Sequence, residues 1–375
     1  MTTQSRNQQV DTLVIGGGQA GLVIGHGLAQ HGVDFVILDA SERIGEAWRN
    51  RWDSLRLFTQ ARMNGLPGMA FPAPGGEFVG KDAVADFLET YAETMQLPVR
   101  SGVRVKALTT EGEGFVVETT QGTFRARNVI VAMADYQKPK TPDFAGDLDP
   151  SVFQMHSSNF KNPGQLQDGP VLVVGLGNSG ADIAYETAKT HPTIVSGTEK
   201  GAIPFALEGW FGRHLGTRLI RLAMVKILNT STPMGRRVRP KMLRTGPPLV
   251  RIRPKELSDA GVERVARITG TEDGMPVTTD GTRLEVSNVI WCTGYTTGFD
   301  WIDLPVFDDG GHPIHTRGVV ATQPGLYFVG LYFLHSVWSE TITGVQPDAR
   351  HVVDHLMKNR SSTTNQEPTT AALQT

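Results

Sequence analysis

Short runs of large apolar residues recur along the chain, and two of them lead directly into glycine-rich loops. The first run, residues 11–15, enters Gly16-Gly17-Gly18-Gln19-Ala20-Gly21, and a helix-like stretch of small and apolar residues then extends to Gln30. A second run, Phe35-Val36-Ile37-Leu38, ends at Asp39. Uninterrupted β-branched and apolar runs of this length predict buried parallel strands. The segment is therefore predicted to be a β-α-β unit.

The glycines of this first loop have separate physical roles. Gly16 permits a tight turn, Gly18 lets backbone N–H groups approach a pyrophosphate, and Gly21 allows the helix to pack closely on the strand. The helix N-terminus adds partial positive charge, and Asp39 stands where a carboxylate accepts hydrogen bonds from a ribose diol. Three spaced glycines are a weak signal in a chain with 42 glycines. The prediction of a dinucleotide site therefore depends on the flanking strand, helix and acid.

A second unit repeats this pattern later in the chain. Val171-Leu172-Val173-Val174 leads into Gly175-Leu176-Gly177-Asn178-Ser179-Gly180, a predicted helix at 181–189 and a strand at 193–195. No acid stands at the end of this strand, and Ser196 and Lys200 could accept a 2′-phosphate that a carboxylate would repel. This favours NADPH over NADH, although Lys200 is equally well explained as a solvated loop lysine.

Further elements complete two similar domains. The patterns predict a helix at 82–95, strands at 103–105, 115–118, 123–125 and 129–131, strands at 262–268 and 283–286 around a turn at 279–282, strands at 289–291 and 326–330, and a helix at 347–358. These elements indicate an α/β fold with two Rossmann-like dinucleotide-binding domains of the three-layer ββα type, the second inserted in the first.

The expected boundaries follow from this order. Residues 1–146 and 297–360 would form the first domain, and residues 147–296 the second domain with a helical insertion at 201–253. Residues 361–375 are mostly Thr, Gln, Ser and Ala, which predicts a disordered tail.

Composition limits the function classes. The net charge of −2 gives no indication of a nucleic-acid partner. The only cysteine, Cys292, excludes an internal disulfide, a cysteine metal cluster and the paired-thiol disulfide reductases. We expect no metal site. The polar first ten residues contain no visible signal peptide, which predicts a cytoplasmic location.

The insertion alternates basic and apolar residues. Its most apolar part, residues 215–228, carries Arg218, Arg221 and Lys226, which argues against a membrane span. Substrate access, a membrane-surface helix and contact with the NADPH phosphate are the functional alternatives. A packed helical cap with solvated arginines is the favoured interpretation.

These motifs resemble the flavin-containing monooxygenase family (class B flavoprotein monooxygenases), especially its short bacterial members and the plant-type indole-pyruvate monooxygenases. The likeness covers about residues 10–358 and includes both glycine loops and Gly45-Glu46-Ala47-Trp48-Arg49, which is similar to the family's element beside FAD. Cys292-Thr293-Gly294-Tyr295 is similar to the linker between the two nucleotide domains.

The resemblance implies FAD at the first loop and NADPH at the second. The residues expected to bind the first cofactor are Gly16, Gly18, Gln19, Ala20, Gly21, Asp39, Ala40, Trp48, Arg49, Val105, Ala132 and Gly330. Those expected to bind the second cofactor or form its linker are Gly175, Gly177, Asn178, Ser179, Gly180, Ser196, Lys200, Cys292, Thr293, Gly294 and Tyr295.

The resemblance also implies a reaction. NADPH would reduce FAD, O₂ would add to the reduced flavin, and the resulting C4a-(hydro)peroxyflavin would oxygenate a small organic substrate at an N, S or carbonyl centre. Asn64, His156 and His335 are the candidate catalytic residues. A flavin reductase without oxygenation and a nucleotide-sensing flavoprotein are the alternatives. No integral membrane contact is expected, and a homodimer is one candidate assembly.

Overall fold

A computed structural model of the chain describes residues 7–198 and 201–364. The strands are β1 (Asn7–Ile15), β2 (Phe35–Leu38), β3 (Arg56–Gln60), β4 (Phe78–Gly80), β5 (Val99–Arg100), β6 (Val105–Glu111), β7 (Gly114–Thr119), β8 (Gly122–Val131), β9 (Lys138–Pro139), β10 (Phe153–His156), β11 (Val171–Val174), β12 (Thr193–Ser196), β13 (Glu263–Val265), β14 (Ile268–Glu272), β15 (Met275–Thr278), β16 (Asn288–Trp291), β17 (Tyr295–Thr296) and β18 (Leu326–Phe328).

The helices lie mainly between the parallel strands. They are α1 (Gln19–Gln30), α2 (Glu46–Arg49), α3 (Lys81–Thr94), α4 (Asn178–Thr187), α5 (Thr217–Leu222), α6 (Pro233–Thr245), α7 (Pro254–Asp259) and α8 (Val345–Thr364). Two π-helical turns, Gly212–Gly216 and Ala223–Ile227, flank α5.

The first sheet is built around β1 and β8. Its parallel strands run in the order β5-β2-β1-β8, and β18 pairs with the second half of β8. The first half of β8 pairs antiparallel with β7, which in turn pairs with β6. β8 therefore belongs both to the parallel sheet and to the antiparallel layer beside it, which gives the three-layer arrangement expected from the sequence.

β8 also corrects one prediction. Separate strands at 123–125 and 129–131 are wrong, because the intervening residues remain extended and pair with β1. Val10 lies opposite Ala126, and Thr12 lies opposite Asn128. The polar residues Arg127 and Asn128 look like a turn in sequence, but the ladder to β1 holds them in one strand.

The second sheet consists of five parallel strands in the order β10-β16-β11-β12-β13. A hairpin of β14 and β15 covers it, with Ile268 and Trp291 in one shared core. The predicted strand at 283–286 is wrong, because only Arg283 forms an isolated bridge, to Val277. The hairpin turn lies at Asp273 and Gly274, both with positive φ, since this pair adopts a left-handed turn readily.

Helices complete the outer layers. α1, α3 and α8 pack on one face of the first sheet and share its largest apolar core, with Leu22, Leu88 and Val352 fully buried. α8 continues to Thr364. The prediction that a disordered tail begins at residue 361 is therefore wrong. Residues 365–375 of that predicted tail lie outside the described residues.

Gly45 offers a test of how the first domain is packed. Its φ is +84°, and a Cβ there would lie 2.6 Å from the Ala85 oxygen of α3. Gly32 also has positive φ, +62°, but a Cβ there would meet nothing within 4 Å. We expect Gly45→Ala to lower the free energy of unfolding by about 3 kcal/mol, because it adds a backbone clash to the left-handed strain.

Gly32→Ala is the matched control, with an expected loss of about 1 kcal/mol from the backbone strain alone. Thermal unfolding followed by circular dichroism measures both variants. Equal midpoints for the two would contradict the close packing of Gly45 on α3.

Candidate functional site

The carboxyl ends of four parallel strands meet at one edge of the first sheet. Ile15 lies opposite both Leu38 and Val131, and Val131 lies opposite Phe328. Backbone bonds continue the alignment beyond the strands, from Gly16 N to the Leu38 oxygen at 2.8 Å and from Ala132 N to the Ile15 oxygen at 2.8 Å. The residues that follow these strands therefore form one site, as is usual in open α/β sheets.

The first glycine loop fits this edge tightly except at its crest. Gly16 has a φ of +110°, and a Cβ there would lie 2.8 Å from the Ala132 oxygen. A Cβ on Gly21 would lie 1.9 Å from the Gly16 oxygen, so α1 packs directly on the loop. At Gly18, by contrast, a Cβ would meet nothing within 4 Å. The loop crest therefore opens onto free space.

The start of α1 is suited to an anion. No side chain caps the helix at Gly18, and no acidic residue occupies its first turn. Its first backbone N–H groups and the positive end of its dipole face the open crest of the loop. Gln19 lies to one side, where its Nε2 donates to the main-chain oxygen of Glu340 at 3.1 Å. On the other side, a Cβ on Gly330 would lie 3.1 Å from the Ala20 Cβ. These residues fit the pyrophosphate of a dinucleotide.

Asp39 anchors the far end of this site. Its two carboxylate oxygens accept the backbone N–H groups of Gly17 at 2.6 Å and Ser41 at 2.7 Å. Ala40 is exposed just beyond it, and Val105 is half-buried at the start of β6. The backbone N–H of Val103 donates to the Asp39 main-chain oxygen at 2.8 Å. The main chain at Val103 therefore contacts Asp39 directly, whereas the sequence pattern indicated only Val105 at this end of the site.

The second glycine loop repeats the first in detail. Gly175 has a φ of +111°, and a Cβ there would lie 2.3 Å from the Cys292 oxygen. A Cβ on Gly180 would lie 1.8 Å from the Gly175 oxygen. α4 begins after Gly177 with no side-chain cap and no acid in its first turn. A second dinucleotide pyrophosphate therefore fits here by the same physical argument.

Two polar side chains of the second loop already have partners within the protein. Asn178 donates to the Pro248 oxygen at 3.0 Å and accepts from Val250 N at 2.9 Å, so it fastens the end of the insertion. Ser196 is 1% exposed and bonds to Ala266 and Ile268, so its hydroxyl is not directed at a phosphate.

The other second-loop predictions remain open. Ser179 is half-buried at the start of α4, where its backbone can face a phosphate. Lys200 lies outside the described residues.

Two short strands carry the chain between the domains. β9 and β17 pair antiparallel, with Tyr295 opposite Pro139. The Lys140 N–H donates to the Gly294 oxygen at 3.0 Å, and the Thr293 hydroxyl donates to the Lys140 oxygen. Gly294 has a φ of +86°, which directs the chain into this pairing. The predicted linker motif therefore forms a two-stranded connection between the sheets.

His156 holds this linker from the end of β10. The Ser158 N–H donates to its Nδ1 at 3.1 Å, so the proton lies on Nε2, which donates to the Gly294 oxygen at 3.0 Å. Its ring meets the Tyr295 ring edge-on at 5.0 Å. Burial lowers the pKa of His156, which favours this neutral form. His156 therefore contacts the linker through both its Nε2 and its ring.

The candidate residues around the family's tryptophan element have structural partners. Arg49 donates to the Ile44 oxygen at 2.6 Å and pairs with Asp86 and Glu89. Trp48 is half-buried against the first core. Asn64 is fully buried, where its side chain exchanges two hydrogen bonds with Thr59.

His335 joins the insertion to the first domain. Its Nδ1 lies 2.8 Å from the Thr230 hydroxyl, and its main-chain oxygen accepts the Thr230 N–H at 2.8 Å. Burial, with smaller contributions from Arg317 and His351, lowers the pKa of His335 to about 4, so the ring is neutral at physiological pH. The three candidate catalytic side chains have separate partners, since Asn64 bonds to Thr59, His156 to the linker and His335 to Thr230.

A partly buried acidic cluster was missed in the sequence analysis. Tyr332 N donates to Asp135 Oδ2 at 2.8 Å, and the Tyr136 hydroxyl donates to Glu340. Burial raises the pKa of Glu340 to about 7, and the nearby Asp135 adds to this shift. The sequence did contain a signal for this cluster. Asp135 follows the end of β8 and Glu340 follows β18, and both strand ends lie at the first loop.

The described residues contain neither a metal-binding cluster nor a membrane-spanning helix. Among residues 7–198 and 201–364, no group of three or more His, Cys, Asp and Glu side chains is arranged to hold a metal ion. Within the same described ranges, every helix is too short or too polar to cross a membrane.

A substitution at the open crest of the first loop tests the site. We expect Gly18→Val to reduce the FAD content of the purified protein to about a tenth or less, because the side chain would fill the space that the pyrophosphate needs. Its fold should persist, since nothing in the protein obstructs that side chain. The ratio of flavin absorbance to protein absorbance measures the effect.

Gly146→Val is the matched control, because a Cβ on Gly146 also meets nothing within 4 Å. It should retain FAD, and both variants should keep the wild-type circular dichroism spectrum. Normal FAD content in Gly18→Val would contradict the assignment of this loop.

Known proteins share this architecture over most of its length. The pyridine nucleotide-disulphide oxidoreductase family matches residues 13–203. An uncharacterized CzcO-like oxidoreductase of Geobacillus kaustophilus is 37% identical over 93% of this chain and 99% of its own length. The indole-3-pyruvate monooxygenase YUCCA1 of Oryza sativa subsp. japonica is 27% identical over 85% of this chain and 86% of its own.

A solved structure agrees with these relatives. The flavin-containing monooxygenase from Stenotrophomonas maltophilia superimposes with a TM-score of 0.75, at 26% identity, over 94% of this chain and 99% of that chain. The predicted fold class, the family resemblance and the pairing of FAD with NADPH are thereby confirmed. The chain belongs to the pyridine nucleotide-disulphide oxidoreductase family and is an oxidoreductase related to the flavin-containing monooxygenases.

Proposed function

We propose that this oxidoreductase is an NADPH-dependent flavin monooxygenase that transfers one oxygen atom of O₂ to a small organic substrate at an N, S or carbonyl centre. Relatives named as monooxygenases cover most of the chain, in sequence and in structure. We also propose that the protein is located in the cytoplasm and forms a homodimer.

The observation that carries the proposal is the way the insertion closes over the first domain. Gln60 donates to the Arg213 oxygen at 3.0 Å. Thr230 bonds to His335, and Arg239 donates to the Phe333 oxygen at 3.1 Å. The insertion thus covers the segment that follows β18, at the same sheet edge as the first loop. Such a cover excludes water from the site. Oxygen transfer requires this exclusion, whereas delivery of electrons to a protein partner does not.

The single thiol supports the same conclusion. The Cys292 main chain lies against Gly175 of the second loop. Burial raises the pKa of the Cys292 thiol to about 12, so at neutral pH it remains a thiol. The chain has no second cysteine with which it could form a redox pair. Disulfide reduction through a protein dithiol is therefore excluded for this member of the family.

The residues of the chain have separable tasks in this reaction. Bound FAD supplies the redox chemistry between nicotinamide and oxygen. The two glycine loops bind and orient the cofactors, and His156 fixes the linker between them. Glu340, whose pKa is raised to about 7, can hold or release a proton at the oxygen that Tyr136 contacts.

A cleft between insertion and first domain offers a route for the substrate. It encloses about 370 Å³ and is lined by Arg62, Met69, Arg221, Thr343 and Gln346, among others. The Thr343 hydroxyl donates to the Met63 main-chain oxygen at 2.7 Å, and Gln346 Nε2 donates to the Gly65 oxygen at 2.8 Å. This volume suits a small molecule.

Rapid mixing tests the proposal. The purified protein is reduced with NADPH without oxygen and is then mixed with O₂ while its absorbance is recorded. We expect a transient species, distinct from both reduced and oxidised flavin, because the covered site retains the oxygen-derived state. Direct reoxidation, with all of the NADPH electrons recovered as H₂O₂ even after substrate screening, would favour a reductase and contradict the proposal.

A pair of threonine variants links this result to the insertion. Thr230→Val removes the hydroxyl bond to His335 Nδ1 and should shorten the lifetime of the transient species. Thr245→Val is the matched control, because Thr245 bonds only within or next to its own helix, to the Lys241 and Gly246 oxygens. Equal lifetimes in the two variants would show that the cover does not protect the site.

A further inference from the structure

The insertion carries most of the exposed large apolar side chains of the described chain. Eight of the eleven lie between residues 210 and 243, with Trp210 77% exposed and Leu222 56% exposed. We call this set the outer face: Trp210, Phe211, Leu215, Leu219, Leu222, Ile227, Met234 and Leu243. A concentration of exposed large apolar side chains in one segment is typical of a site of interaction.

The same segment is strongly basic. Residues 210–245 contain nine Lys and Arg residues and no Asp or Glu, whereas the whole chain has a net charge of −2. All of these cations except Arg239 are exposed. Among residues 7–198 and 201–364, none of the nine forms an ion pair with a carboxylate. The positive charge therefore faces outward uncompensated.

The apolar and basic residues form two parallel stripes on the helical segment around α5. Phe211, Leu215, Leu219 and Leu222 recur every three or four residues and lie on one side. His214, Arg218 and Arg221 recur at the same spacing beside them, and all seven are exposed.

The opposite side of this helical segment is fixed to the protein. Gly212, Gly216 and Thr217 are buried, and a Cβ on Gly216 would lie 2.3 Å from the Phe205 ring. The body of the protein thus presents both stripes outward on a rigid support.

We propose that this outer face binds peripherally to the surface of an anionic lipid bilayer. The apolar stripe enters the headgroup boundary, and the basic residues contact the anionic headgroups. The segment lies on the surface rather than spanning, since no described helix is suited to cross a membrane. A symmetric pair of copies would place two uncompensated basic faces against each other, which disfavours a second copy as the occupant.

Vesicle sedimentation of the FAD-loaded full chain tests this proposal. Vesicles of phosphatidylcholine mixed with anionic phosphatidylglycerol are compared with vesicles of phosphatidylcholine alone, at low and at physiological salt. We expect binding to the anionic vesicles that weakens as salt rises, and about tenfold weaker binding to the neutral ones. The absence of binding to anionic vesicles at low salt would overturn the proposal.

Matched variants locate the binding surface. Leu222→Ser should weaken binding severalfold, whereas Ile314→Ser, at a site 54% exposed elsewhere on the protein, should not. Arg218→Gln with Arg237→Gln should weaken binding more than Arg104→Gln with Arg127→Gln, which removes the same charge from other exposed sites. FAD content confirms that each variant is folded.

Two results would overturn the assignment of the outer face. One is vesicle binding that is equal in wild type, Leu222→Ser and the Arg218→Gln, Arg237→Gln variant. The other is a dimer in solution that Leu222→Ser dissociates while vesicles bind no protein, which would assign the face to a second copy.

Discussion

The oxygen of Gly294 is a point at which both linker segments and the second sheet meet. It accepts the Lys140 N–H of one crossing strand and the Nε2 proton of His156, both at 3.0 Å. Gly294 itself belongs to the returning strand segment, and His156 ends β10 of the second sheet. One carbonyl group therefore joins both crossings to the second sheet. This group therefore contributes to the relative placement of the two nucleotide loops.

The two loops obey the same physical rule but differ at one end. Gly16 and Gly175 both turn with φ near +110° and pack against the main chain at the end of a neighbouring strand. Both following helices lack a side-chain cap, so their N-termini remain available to a phosphate. The end of the first site carries the Asp39 carboxylate, which bonds to the Gly17 N–H of the loop, whereas the corresponding strand end of the second site carries Ser196, which bonds to Ala266 instead of its loop.

The features that short-range pattern determines could be predicted from the sequence. The run at 171–174 predicted β11 with its observed bounds, and the loops predicted two dinucleotide-binding domains, because strand, turn and helix follow one another locally. The antiparallel layer of the first domain was less accessible: the length of β8 is determined by its pairing with the distant strand β1, which a local pattern does not contain.

The chemistry of individual side chains was the hardest to predict. His156 was singled out as a lone histidine, but its role depends on Gly294, which lies 138 residues away. Asp135 and Glu340 were missed because they come together only when β8 and β18 align. Arg49 matches a motif in sequence, yet its guanidinium is committed to Asp86 and Glu89.

The rate at which NADPH reduces the bound FAD in the absence of oxygen tests most directly whether the linker places the two nucleotides for reaction. His156→Ala should slow this step by about fivefold to tenfold, because it loses an ordering hydrogen bond worth about 1 kcal/mol, while FAD content stays normal. His156→Gln, which keeps a side-chain donor, should recover much of the rate. A wild-type rate in His156→Ala would contradict the claim that this linker places the two nucleotides for reaction.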